Sequence, residues 1–136
     1  MYEHAFKLEI IAPDRIVFQD DATSLSAPGV EGGFQILYNH APFLSALEIG
    51  QIKVKDRQGV DALYATSGGF VEVRDNHVVV LVETAERAED IDIARAKAAR
   101  QRAEDRLKSR QEEMSFERAR LALHRALNRL RLAGKM

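Results

Sequence analysis

The chain predicts a small all-β module, a sandwich or barrel, followed by an antiparallel pair of α-helices. Up to Glu83, apolar residues recur at alternate positions in short runs cut by Gly, Pro and Asp-Asn signals. Beyond Glu83 there is no Pro, and Gly134 near the end is the sole Gly. There Ala, Leu and Arg recur three and four residues apart, which is the period of a helix. The expected division is a β module over residues 1–85 and a helix-turn-helix arm over residues 86–136.

The β elements follow in order. Phe6, Leu8 and Ile10 alternate with Lys7 and Glu9, the mark of a half-buried strand, until Pro13-Asp14 breaks it. Ile16 to Phe18 resumes and Asp20-Asp21 ends that piece; Thr23, Leu25 and Ala27 alternate up to Pro28-Gly29. Ile52 and Val54 alternate with Lys53 and Lys55, Asp56 to Gly59 is a turn, and Leu63 to Thr66 is the return strand. Val71 and Val73 alternate up to Asp75-Asn76, and Val78 to Val82 reads as a continuous buried strand. The pairs Gly32-Gly33 and Gly68-Gly69 can cradle a phosphate. Neither opens a predicted helix or is followed by Lys-Ser or Lys-Thr, so the expectation is tight turns or bulges that need positive φ.

In the second half, Asp90 or Asp92 caps a first helix, whose stripe is Ile93, Ala96, Ala99, Ala103 and Leu107. The polar stretch Lys108 to Met114 breaks the pattern. Ser115 is the expected N-cap of a second helix, with Glu117 in its first turn. Phe116, Ala119, Leu123, Ala126 and Leu130 form its seam. The stripe of the first helix is mostly methyl groups and buries little, at about 0.8 kcal/mol per CH₂. Helical propensity is high, so such helices can survive a change of packing partner.

A chain of 136 residues is one ordinary domain, or a small one with an appendage. Its net charge of −1 hides an asymmetry: 6 basic and 12 acidic residues up to Ala85, 14 basic and 9 acidic after it. A basic arm implies an acidic surface, an anion or nucleic acid as its counterpart, or simply a solvated face. The absence of Cys excludes disulfides and thiol chemistry. No run approaches the ~20 apolar residues of a membrane span, and MYEHAFKLEI lacks the basic flank and apolar core of a signal peptide, so the expectation is a soluble cytoplasmic protein.

His4, His40, His77 and His124 are scattered without metal-ligand spacing, so no metal site is expected. Ala65 stands where a G-x-S-x-G elbow around Ser67 needs Gly, and no nucleophile has an evident base, so no catalytic residue is assigned. The arginines carry more. Arg95 and Arg102 are seven apart on the first helix, and Arg125 and Arg129 are four apart on the second. In an antiparallel pair these gather cations along one seam, with Glu86 and Asp92 offsetting part of the charge. An anionic ligand can offset the rest, since guanidinium forks suit phosphate. The alternative is that each arginine splays into water over the alanine stripe. Nucleic acid is disfavoured: Glu104, Asp105, Glu112, Glu113 and Glu117 interleave with the arginines, and no aromatic stacking platform accompanies them.

The stretches Ser26-Ala27-Pro28-Gly29-Val30-Glu31-Gly32, Ile36-Leu37-Tyr38-Asn39-His40-Ala41-Pro42 and Ser67-Gly68-Gly69-Phe70-Val71-Glu72-Val73 are distinctive in their order. Glu83-Thr84-Ala85-Glu86, Ile91-Asp92-Ile93-Ala94-Arg95-Ala96 and an Arg-rich second helix follow. Together they resemble the ε-subunit family of bacterial F-type ATP synthases, nearly end to end. The resemblance implies a β-sandwich of about ten strands and a C-terminal helical hairpin. It implies a non-catalytic rotor subunit of the central stalk, peripheral to the cytoplasmic face of the bacterial plasma membrane and held there only through partners. Those partners are the γ subunit, the c-ring and acidic segments of β in the α/β hexamer. The helices are implied to inhibit ATP hydrolysis when extended, and ATP to be a regulatory ligand rather than a required cofactor. By position, Ile91, Asp92 and Arg95 belong to the ATP-binding stretch, with Asp92 and Arg95 at the adenine end. Glu86 assists, and Arg102, Arg125 and Arg129 meet the phosphates. Glu31 and His40 are implied to lie in the loop region facing the c-ring. Where many members have Gly-Ile-Leu-Pro, this chain has Gln35-Ile36-Leu37-Tyr38, and Asn39 is expected to hold the loop instead. Without the resemblance, the residues read as a β-sandwich adaptor with a helical docking arm.

Overall fold

The structure, a computed structural model, describes residues 4–109 and 113–134. The chain divides into two compact units, Met1–Arg87 and Ala88–Met136. The division falls two residues beyond the expected boundary because a last short strand, β10 (Ala85–Arg87), hydrogen-bonds to the sandwich.

Ten strands form the first unit among the described residues. They are β1 (Phe6–Ala12), β2 (Arg15–Ala22), β3 (Ser24–Ala27), β4 (Phe34–Ile36), β5 (Phe43–Leu47), β6 (Gly50–Lys55), β7 (Asp61–Thr66), β8 (Gly69–Arg74), β9 (His77–Val82) and β10. They make two five-stranded sheets, ordered β2-β1-β9-β8-β5 and β10-β7-β6-β3-β4. Only β1 and β9 run parallel, with Lys7 opposite His77; the other named pairs are antiparallel. Alternation puts Phe6, Leu8, Ile10, Val71, Val73, Val78 and Val80 into the core from one sheet and Leu25, Ile36, Ile52 and Val54 from the other, all fully buried. The Arg15 guanidinium Nη2 donates to the Ala85 carbonyl at 2.7 Å and so fastens β10 to the start of β2.

Two readings of the strands change. Val78 to Val82 is not buried throughout: its inner face is closed, but Leu81 is 52% exposed, because in a two-layer sandwich only one face of each sheet meets the other. The strands β4, β5 and β10 were absent from the periodicity; β4 and β10 are three residues long, and β5 never completes an alternation. The glycine pairs serve backbone geometry. Gly32, Gly68 and Gly69 have φ of 127°, 123° and 155°. The amides of Gly32 and Gly68 already donate to the Gly29 carbonyl and the Thr66 hydroxyl, so neither loop presents them to a phosphate.

In the second unit a 3₁₀ turn (Ala88–Asp90) leads to α1 (Ile93–Lys108), and α2 (Glu113–Leu132) packs against it as a hairpin. Asp92 is the N-cap, its Oδ1 accepting the Arg95 N–H at 3.0 Å. Ser109 closes α1, its N–H donating to Asp105 and Arg106 carbonyls. The interruption is therefore shorter than the predicted Lys108 to Met114: Lys108 ends α1, Glu113 and Met114 are already helical, and Arg110, Gln111 and Glu112 lie outside the described residues. Ser115 is inside α2 and is not its N-cap; Glu113 and Met114 are strong helix formers and begin the helix before it.

At Gly69 an added methyl would run into the Leu81 carbonyl oxygen on top of an unfavourable φ. Gly69→Ala is expected to cost the sandwich about 2 kcal/mol or more. All three tyrosines precede β10 and Trp is absent, so tyrosine fluorescence in a urea titration reads the sandwich. The midpoint should fall with little change in slope, and a wild-type midpoint would contradict the packing.

Candidate functional site

Ala96 and Ala103 are buried seven residues apart on α1, and Ala119 and Ala126 are buried seven apart on α2. These methyl groups let two helices approach closely and define the seam. In an antiparallel pair of right-handed helices, the residue one place before each seam residue falls on the same flank in both helices. Facing the partner and reversing direction each invert the sense of rotation, so the two inversions cancel. Arg95 and Arg102 precede Ala96 and Ala103; Arg118, Arg125 and Arg129 precede Ala119, Ala126 and Leu130. Arg106 precedes Leu107 in the same way. One flank of the hairpin is thus a row of arginines. A hairpin that closes between residues 109 and 113 sets the start of α1, with Asp92 and Arg95, against the end of α2, with Arg125 and Arg129.

Two arginines off that row are paired. Arg100 Nε lies 3.4 Å from Glu104, and Arg120 Nη2 lies 2.9 Å from Glu117. The Arg120 hydrogen bond and charge hold the Glu117 carboxyl below its ordinary range and raise Arg120 in return. Among the described residues, the guanidinium groups of Arg95, Arg102 and Arg125 are in no ion pair. Arg95, Arg102 and Arg125 therefore carry the open charge of the arginine row.

The remaining expected residues fall as follows. Ile91 is buried, and Asp92 is exposed and engaged as the cap. Arg95 and Arg102 are exposed, while Arg125 and Arg129 are half-buried. Glu86 is half-buried on β10, opposite Ala65 of β7, so it belongs to the sandwich unit while the other six belong to the hairpin. Phe116, expected in the seam, is 43% exposed, as befits a residue in the first turns of α2 near the end of the pair. Asn128, buried on α2 and accepting a 2.8 Å bond from Arg131, carried no signal in the periodicity.

Glu31 and His40 are not in one loop. Glu31 sits in the β3–β4 connection, and His40 sits in the β4–β5 connection at the other end of β4. Since β4 is the edge of its sheet, both flank that edge. The His40 ring meets Phe43 edge-on at 5.5 Å, Phe43 meets Phe34 likewise at 5.0 Å, and His40 Nδ1 donates to the Ala41 carbonyl at 2.7 Å. Asn39 adopts φ 58°, the left-handed turn conformation expected of it.

Residues 5–88 match the model of a family described as the ATP synthase delta/epsilon chain, beta-sandwich domain, and residues 89–134 match its long alpha-helix domain. The chain belongs to the ATP synthase delta/epsilon chain family. It is 48% identical over 135 residues to the ATP synthase epsilon chain of Syntrophomonas wolfei, covering 99% of this chain and 98% of that one. The epsilon chain of Nitratidesulfovibrio vulgaris is 48% identical over 132 residues, covering 97% and 98%. The fold is also that of a chain in the Euglena gracilis mitochondrial ATP synthase, with a TM-score of 0.79 at 23% identity over 91% of this chain and 78% of that one. A chain in the Tetrahymena thermophila mitochondrial enzyme's central stalk and c-ring gives 0.62 at 15% identity over 93% and 95%. No described helix is long and apolar enough to cross a membrane.

The Glu117–Arg120 pair has a direct readout. Followed by NMR, the Glu117 carboxyl should titrate below an ordinary glutamate, and Arg120→Ala should return it upward. Because the folded value is depressed, the stabilisation is present above the unfolded carboxylate range. It is lost as pH falls through the lowered folded value. An unshifted midpoint in the parent chain would remove the pair.

Proposed function

We propose that this chain is the non-catalytic rotor subunit of a bacterial F-type ATP synthase, whose sandwich joins γ and the c-ring and whose hairpin restrains ATP hydrolysis. The observation that carries the regulatory part is the arginine flank on a hairpin held by an alanine seam, in which Arg95, Arg102 and Arg125 are in no ion pair among the described residues. Such a flank repels itself unless an anion lies along it. Two anions suit it, and they compete. In the restraining position the flank meets acidic segments of the β subunits in the α/β hexamer. In the released position it holds ATP, with Asp92 and Arg95 toward the adenine, Arg102, Arg125 and Arg129 toward the phosphates, and Glu86 assisting. ATP is thus a regulatory ligand. The chain performs no chemistry of its own and sits at the cytoplasmic face of the plasma membrane through its partners. For the c-ring, Glu31 and His40 serve one contact surface only if it runs along the β4 edge, which both flank.

The test is reconstitution with γ and the α/β hexamer. The full chain should lower ATP hydrolysis, and a chain ending at Arg87, which keeps β10, should still bind γ without lowering it. On the isolated chain, calorimetry should register ATP, and Arg95→Ala or Arg125→Ala should weaken it by about 2 kcal/mol, near thirtyfold. Unchanged hydrolysis would overturn the restraint, and unchanged ATP affinity in both variants would overturn the site.

A further inference from the structure

The turn between β8 and β9 is two residues long, Asp75-Asn76, with φ of 52° and 60°. Such a hairpin turn asks only for residues that tolerate positive φ, and glycine suits it best. Asn76 does more than turn. Its Nδ2 donates to the Ala5 carbonyl at 2.9 Å, its Oδ1 accepts the Asn39 N–H at 2.7 Å, and its own carbonyl accepts the Lys7 N–H at 3.2 Å. One amide therefore straps the β4–β5 connection and the N-terminal segment to the same turn. Beside it the His4 ring lies over Tyr38, with centroids 4.7 Å apart and planes 31° from parallel. Tyr38 and its neighbour Leu37 are about half exposed at 48% and 51%, too open to fix the connection by burial.

We propose that Asn76 is the positioning residue of the connection that carries Leu37, Tyr38 and His40, and that His4 and Ala5 form part of the same contact surface. This rests on the reading that His40 meets a rotor partner. A connection held in advance loses less freedom on binding, so the strap acts on affinity without touching the partner. The connection is thus stiffened from outside, through Asn76 on Asn39 and His4 on Tyr38.

Two substitutions separate the turn from the strap. Asn76→Gly keeps the positive φ and removes both side-chain bonds. Asn76→Asp keeps an oxygen for the Asn39 N–H and removes the donor to Ala5. Hydrogen exchange at the Asn39 amide of the full chain should quicken about tenfold or more in Asn76→Gly and stay near the parent rate in Asn76→Asp. Affinity for a γ–c-ring assembly stripped of this subunit should fall about tenfold in Asn76→Gly, with His40→Ala as the control on the contact itself. Unchanged Asn39 exchange in Asn76→Gly overturns the strap. A weakened His40→Ala beside a full-affinity Asn76→Gly overturns the positioning role while sparing the contact. Full affinity in His40→Ala, Tyr38→Ala and Asn76→Gly alike overturns the contact reading, and the inference with it.

Discussion

Like charges crowded on one flank of a close helix pair are the constraint on which the second half of this molecule turns. The seam is built from Ala96, Ala103, Ala119 and Ala126, so the helices approach without large side chains between them. The same closeness gathers Arg95, Arg102, Arg125 and Arg129 along one side. Glu104 and Glu117 pair instead with Arg100 and Arg120, off that row. At a surface, opposite charges at such separations are worth little individually, and like charges cost comparably little. Several on one row add up, and a multiply charged anion relieves them together. The proposed exchange between a nucleotide and an acidic protein surface follows from that shared need.

The two units differ in how they are held. In the sandwich, Phe6, Leu8, Ile10, Leu25, Ile36, Ile52 and five valines are fully buried between two sheets, and β10 is fastened through Arg15. In the second unit the buried residues among those described are Ile91, Ala96, Ala103, Ala119, Ala126, Asn128 and Leu130, of which four are alanines. At about 0.8 kcal/mol per buried CH₂, the contrast in stabilisation is large. Elements with little buried apolar surface open most readily. The difference between the two units lies in side-chain size.

The sequence disclosed alternation wherever a strand was long enough to complete it. Phe6-Leu8-Ile10, Ile52-Val54 and Val71-Val73 were legible because one face met the core and the other met water. Phe34–Ile36 and Ala85–Arg87 were not, since three residues cannot establish a period. The run Val78 to Val82 misled because β-branched residues fill both faces of β9 while only one is covered. In the hairpin, the stripe and the Asp92 cap were legible, but Ser115 looked like a start because good caps and ordinary helical serines share one letter. The arginine pairs could be picked out by spacing. Which flank they share depends on which alanines are buried. Asn76 was invisible as anything but a turn residue, because its partners Ala5 and Asn39 are 71 and 37 positions away.

The most direct measurement is hydrogen exchange across the whole chain, with and without ATP. Protection should rise in α1 and α2, around Arg95, Arg102, Arg125 and Arg129, and stay unchanged in β1, β8 and β9. No change in the helices at millimolar ATP, or an equal rise in both units, would contradict a cationic arm steadied by an anion on a foot that does not change.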